Sequence, residues 1–372
     1  MRIGVNALSV VPGRTGGGET YLRNLLEAMV PRLGGSERLV LFCADPGASL
    51  LPPAGGAVDH RRLPALPAAV RVAAEHLLLP VLVRRARVDV LFCPGNAVSL
   101  LCGVPQVLAL QSMHFRFVGG EMSAARRVYF RTVVPLSALR ASRVLCMSED
   151  LRGTLLAVCP RARGRTHVVH EGADLARFTP GEGGGGGYLL CVSSLNRFKR
   201  VDSVVRALGR LRREGFAAPS LRVVGRADPP DARRIEALTV SEGLAGRVTI
   251  EGPRPYGELP EIYRRAAALI YPSVVETFGL PPLEAMACGC PVVASDRTSV
   301  PEITGDAALL VDPDDPAILA AAIRRVLSDE GLRADLRARG FENARRFSWD
   351  RAAAETLAVL RRAMLGRTTV RR

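Results

Sequence analysis

At 372 residues the chain is longer than a single compact core usually grows, so two domains are expected. A hydrophobic content of 48% supplies ordinary globular cores, and a formal charge of +15 admits nucleic acid, an anionic membrane surface or phosphorylated substrates as partners. The most apolar long segment, Leu63 to Val83, is interrupted by Arg71, Glu75 and His76, which argues against a spanning helix.

The opening MRIGVNALSV has too short an apolar stretch for a signal peptide and reads as a buried strand over Arg2 to Ala7. A loop ending in Gly16, Gly17 and Gly18 follows, then helical spacing from Glu19 to Val30. Consecutive glycines before a helix let backbone N–H groups approach a phosphate, and a flexible turn would show the same pattern. Strand signals at Leu39–Cys43, Val88–Cys93 and Val104–Leu110 alternate with helical patterns such as Ala68–Arg85. That alternation predicts a doubly wound parallel sheet. His114 falls in the loop after the third of these strands, where side chains face a ligand or plain solvent.

From Met122 to Ser148 there is no acidic residue, while Arg126, Arg127, Arg131, Arg140 and Arg143 are present. Arg127 and Arg131 share a helix face, which fits a solvated basic helix or a surface held against anionic lipid. Neither an aromatic strand platform nor a known module supports a nucleic-acid partner. Val144 to Glu149 reads as a strand with a polar end, and the segment from Val168 to Asp174 closes a first domain over residues 1–178. Five consecutive glycines within residues 179–187 read as a linker.

A second domain over 188–349 begins with a strand at Tyr188–Val192 and continues through S-S-L-N-R-F-K-R-V-D into a helix from Ser203 to Arg213. Lys199 is the only lysine in the chain, at the carboxyl end of this strand, where a cation would reach an anion. Further strands are expected at Leu221–Gly225 and Val248–Glu251, a short helix at Pro260–Ala267, and strand segments at Thr298–Glu302 and Ala308–Val311. Asp312-Pro-Asp314-Asp315 resembles a metal-binding triplet, but it directly precedes the helix Pro316–Leu327, so capping accounts for it. The eight cysteines contain no C-x-x-C and lack partners at zinc spacing, which predicts buried free thiols in a reducing cytoplasm.

The most informative stretch is Tyr271 to Val293, YPSVVETFGLPPLEAMACGCPVV. It reads as strand, loop, helix and strand, with the helix beginning near Pro282, Glu284 in its first turn, and Gly289 at its end. Glu276 and Glu284 have seven residues between them, and ionised carboxylates pair naturally with sugar or ribose hydroxyls. The N–H groups of Phe278, Gly279 and Leu280 can hold an anion nearby.

This string resembles the donor-site signature of the retaining nucleotide-sugar glycosyltransferases of glycosyltransferase family 4. The resemblance covers both domains and is strongest from Arg247 to Trp349. It implies a GT-B fold: two Rossmann-like doubly wound domains facing each other across a cleft, with the C-terminal helix (350–372) crossing back to the first. It further implies a nucleoside-diphosphate sugar as donor, GDP-mannose first and UDP- or dTDP-sugars next, with no cofactor and no metal. The acceptor would be a glycan or lipid-linked hydroxyl in cell-surface polysaccharide or glycoconjugate synthesis. By the same resemblance Lys199 and Arg197 would face the diphosphate with Gly16–Gly18 and the Phe278–Leu280 turn. Glu276 would hold the donor sugar, Glu284 the ribose, and His114 would orient the sugar. The chain departs from the family pattern at Ser193 and Ser194, where Gly and Arg usually stand, and at Phe115, where Asp often follows the histidine. A non-catalytic scaffold and a GT-B phosphorylase or epimerase share this architecture. An enzyme of this kind would work in the cytoplasm, at the inner face of the membrane if the basic helix binds lipid.

Overall fold

The computed structural model describes residues 1–10, 17–117, 122–181 and 187–365. Gly16 and the centre of the five-glycine segment lie outside the described residues. The chain divides into two units, Met1–Glu171 with Trp349–Arg372, and Gly172–Ser348.

The first unit is built on seven strands: β1 (Arg2–Ala7), β2 (Arg38–Ala44), β3 (Val58–Leu63), β4 (Val90–Gly95), β5 (Gln106–Leu110), β6 (Arg143–Cys146) and β7 (Thr166–Val168). They are all parallel, in the order β3-β2-β1-β4-β5-β6-β7. The connecting helices are α1 (Gly17–Met29), α2 (Ala68–Arg85), α3 (Ala124–Arg140) and α4 (Glu149–Val158). Strands buried on both faces read as continuous apolar runs, and Leu39 to Ala44 and Val90 to Cys93 are all buried. The segment expected as a strand with a polar end divides instead. Ser148 caps α4 by accepting from the Leu151 amide at 3.1 Å, so Glu149 starts a helix.

The second unit repeats the plan with six parallel strands: β8 (Tyr188–Val192), β9 (Ser220–Val224), β10 (Val248–Ile250), β11 (Ala266–Tyr271), β12 (Val292–Ser295) and β13 (Leu309–Val311). Their order is β10-β9-β8-β11-β12-β13. The helices are α5 (Val201–Arg213), α6 (Pro229–Ser241), α7 (Leu259–Arg264), α8 (Leu280–Ala287), α9 (Val300–Thr304), α10 (Pro316–Ser328) and α11 (Glu330–Arg345), followed by α12 (Trp349–Leu365). Val201, Val204, Val205, Leu208 and Leu211 recur at helical spacing on α5 and are buried. Full burial of each such side chain contributes roughly 1.5–3 kcal/mol.

Three expectations change. Thr298–Glu302 is not a strand: α9 starts at Val300 with Pro301 in its first turn, where a missing N–H costs nothing. The first unit ends at Glu171 rather than 178, because Phe178 is buried against Tyr256 and Tyr263 of the second unit (ring centroids 5.3 and 6.0 Å). Glycines 17 and 18 open α1 instead of ending the loop before it. The last helix groups with the first unit, where Arg361 pairs with Glu37 at 2.7 Å and Trp349 meets Tyr21 edge-on at 6.0 Å.

Charge is divided unevenly. The first unit carries 27 basic and 13 acidic side chains, the second 24 and 23. Nearly all of the chain's net charge therefore resides in the first. No helix among the described residues is long and apolar enough to cross a membrane.

Candidate donor site at a sheet switch point

In an open parallel sheet, ligands bind beyond the carboxyl ends of the strands where the strand order reverses. In the second unit that point lies between β8 and β11, which are adjacent. The loop after β8 carries Lys199 and the loop after β11 carries Glu276, so topology alone places the two side chains together. Lys199 Nζ donates to Glu276 Oε1 at 2.5 Å, with side-chain exposures of 14% and 8%. Tyr271, the last residue of β11, donates its hydroxyl to the same oxygen at 2.6 Å. The ammonium also lies 5.2 Å from the centre of the Phe198 ring.

Backbone bonds lock the two loops to each other. The Val274 amide donates to the Phe198 carbonyl at 2.9 Å, and Ser273 Oγ reaches the same carbonyl at 3.4 Å. The Glu276 amide donates to Thr298 Oγ1 at 3.0 Å. Thr298 has φ +51, a left-handed conformation that a β-branched residue adopts only under constraint. The segment misread as a strand is thus a strained support for Glu276.

Ser193 and Ser194 also acquire a structural account. Ser194 Oγ donates to Asn196 Oδ1 at 2.5 Å, closing the turn that leads into the 3-10 helix Arg197–Lys199. Behind them Gly225 has φ +146, and a Cβ there would sit 2.1 Å from the Ser193 carbonyl oxygen. Arg197 is exposed on the same turn, while Arg200 is paired with Asp314. Gly279, at φ +111, precedes α8 and turns the chain from the Glu276 loop into the helix. Ser299 Oγ donates to the Phe278 carbonyl at 2.9 Å, fixing that turn from α9.

Glu284 is the fifth residue of α8, two residues further in than expected, because the helix begins at Leu280 rather than Pro282. It is 3% exposed, and Tyr263 Oη donates to its Oε2 at 2.9 Å. Burial pushes its carboxyl up to about 7, partly opposed by hydrogen bonds from Tyr263 and Tyr256, while Asp174 adds to the rise. Among the residues holding this site, Tyr271, Tyr263 and Thr298 were not singled out from sequence as functional. A tyrosine at the strand's carboxyl end and another three residues before its start are the only signals that the two tyrosines leave.

In the first unit His114 begins a 3-10 turn four residues after the end of β5, its amide donating to Ser112 Oγ at 3.1 Å. Phe115, in the place of the family's frequent Asp, is buried and stacks on Phe130 of α3 (5.8 Å). It serves packing there. Asp315 caps α10 by accepting from the Ala317 and Ile318 amides, which accounts for the aspartate run. All eight cysteines are buried and free, and burial pushes the Cys191 and Cys290 thiols up to about 12.

One prediction follows from the shared Glu276 oxygen. Tyr271→Phe is expected to lower turnover about tenfold and cost ~1–2 kcal/mol, since a hydrogen bond to a charged group is lost. Steady-state kinetics and a urea melt would check it; unchanged turnover would show that Tyr271 does not position Glu276.

A family model described as "Glycosyltransferase Family 4" matches residues 15–177, and one described as "Glycosyl transferases group 1" matches residues 174–345. A D-inositol 3-phosphate glycosyltransferase 1 of Catenulispora acidiphila is 32% identical over 295 residues, 73% of this chain and 70% of that protein. O-antigen chain mannosyltransferase B of Escherichia coli is 44% identical over 112 residues, 30% of this chain and 29% of that protein. Two solved structures share the fold. Sucrose-phosphate synthase from Thermosynechococcus elongatus matches with a TM-score of 0.82 at 22% identity, over 98% of this chain and 100% of that one. Anabaena HepE in complex with UDP and glucose matches with a TM-score of 0.75 at 20% identity, over 96% and 99%. With both family models tiling the chain and two Rossmann-like units beneath them, the chain belongs to glycosyltransferase family 4 and has the GT-B fold.

Proposed function

We propose that the chain transfers a hexose from a nucleoside-diphosphate sugar to an acceptor hydroxyl with retention of anomeric configuration, GDP-mannose being the first donor to test. The observation that carries this reading is the Lys199–Glu276–Tyr271 cluster at the β8/β11 switch point. Lys199 has two N–H groups beyond the one given to Glu276, and a compact ammonium fits between phosphates. With Arg197 and the N–H groups of the Phe278–Leu280 turn, it would stabilise the departing diphosphate without calling on a metal. Glu276 would accept from donor-sugar hydroxyls, and Glu284 from the ribose. The leaving phosphate oxygen takes the acceptor proton on the same face, so no protein nucleophile is needed.

The relative named as an inositol 3-phosphate glycosyltransferase, and the positive charge of the first unit, support an anionic acceptor. On α3, Arg126, Arg127 and Arg131 lie beside exposed Val128 and Leu136, which suits attachment to an anionic lipid surface near a lipid-linked acceptor.

Incubating the purified chain with GDP-mannose, UDP-glucose or a dTDP-sugar, inositol 3-phosphate and EDTA tests the reading. Proton NMR of the product should show the donor's anomeric configuration retained. An inverted product would contradict retention, and donor binding without transfer would favour a scaffold.

A further inference from the structure

The first unit contains a cavity of about 590 Å³ with which the donor site shares no residue. Its walls come from the segments just before β5 and β7, the start of β6, the end of α3, and Ala363 of α12. Because these strands are parallel, the portions at β5, β6 and β7 all lie at the amino-terminal end of the sheet, opposite the loop that bears His114.

Arg140, Arg143, Arg161 and Arg165 all line this cavity. Three of them are held by backbone carbonyls. Arg140 donates to Cys102 (2.7 Å), Arg143 to Ser142 (2.8 Å), and Arg165 to Leu139 and Ala141 (2.7 and 3.3 Å). Each guanidinium has five N–H donors, so these bonds orient it and leave donors for another acceptor. Among the described residues none of the four pairs with a carboxylate, and no acidic side chain lines the cavity. A cation at a helix C-terminus favours the dipole, which explains Arg140 alone. Burial, and behind it the charges of Arg143 and Arg362, hold the nearby His167 imidazole below its usual range. At Gly103 and Gly164, which also line it, a Cβ would meet nothing within 4 Å, so space extends to the backbone.

We propose that this cavity binds a phosphate-bearing anion, gripped by the guanidinium groups of Arg140, Arg143, Arg161 and Arg165. Phosphate oxygens match the arginine fork in bidentate fashion, and a phosphate monoester or diphosphate carries enough charge to engage several forks at once. A soluble phosphate compound and a phospholipid headgroup present the same chemistry. The site does not depend on the transferase reading.

The test uses the full chain carrying Lys199→Ala, so that the candidate donor-site cation does not contribute. Inorganic pyrophosphate is titrated calorimetrically into this chain, and phosphatidylcholine vesicles with or without phosphatidylglycerol are co-sedimented with it. Arg161→Glu, an exposed position, and Arg143→Ala are then added separately. Arg163→Glu, exposed and outside the cavity lining, controls for general surface charge. Pyrophosphate binding weakened at least tenfold by Arg161→Glu or Arg143→Ala, and not by Arg163→Glu, supports the site with a soluble ligand. The same pattern in vesicle binding alone supports it with a lipid headgroup. Equal binding by all variants, or equal weakening by Arg163→Glu, overturns it.

Discussion

Replacing Lys199 with alanine is expected to lower turnover by roughly 10²- to 10³-fold, the scale on which removing one electrostatic stabiliser of a developing charge acts. Lys199→Arg should restore little, because the wide guanidinium fork does not replace a compact ammonium. The Lys199–Glu276 pair is largely buried, so alanine also strands a carboxylate. Breaking a buried pair from one side costs about 3–5 kcal/mol, much of it from the charge left behind. The double variant Lys199→Ala/Glu276→Gln removes that stranded charge. It should recover stability relative to Lys199→Ala, which measures how much of the loss comes from the stranded carboxylate. Wild-type turnover in Lys199→Ala would remove the lysine from the site.

The second large effect concerns pH. Glu284 has a folded-state pKa raised from 4.5 to about 7, so the folded second unit binds a proton that the unfolded chain has released over that interval. The group's favourable contribution is therefore greatest below pH 4.5 and is lost as pH rises through about 7. A shift of this size corresponds to a difference of about 3 kcal/mol. Glu284→Gln, neutral and of the same shape, should flatten this dependence and make the unit more stable than wild type at pH 8 by up to about that amount. Hydrogen–deuterium exchange along α8 reports the effect where it arises. Parallel pH profiles for the two proteins would show that folding does not raise the proton affinity of Glu284.

Much of the fold is legible in the chain because its strands are buried on both faces. Arg2–Ala7, Ala68–Arg85 and Tyr188–Val192 coincide with their observed elements, since each is bounded by a turn or a change of period. Thr298–Glu302 misleads because β-branched and apolar residues there serve a strained turn and a short helix, and local composition does not distinguish these from a strand. The pairing of Lys199 with Glu276 spans 77 residues and depends on β11 lying beside β8, a fact of sheet order that no local pattern carries. Glu284 is legible as an acid after two prolines. Its proton affinity is not, because that comes from burial, which the hydrogen bonds from Tyr263 and Tyr256 only partly offset. Phe115 shows the converse: a residue that departs from the family pattern is explained by its stack on Phe130.

The central claim is that the β8/β11 switch point receives the donor diphosphate. A crystal structure of the chain with an intact nucleoside-diphosphate sugar tests it most directly. The account predicts Lys199 Nζ within hydrogen-bond distance of a diphosphate oxygen and sugar hydroxyls on Glu276. A diphosphate bound away from Lys199, with the lysine still held only by Glu276, would contradict it.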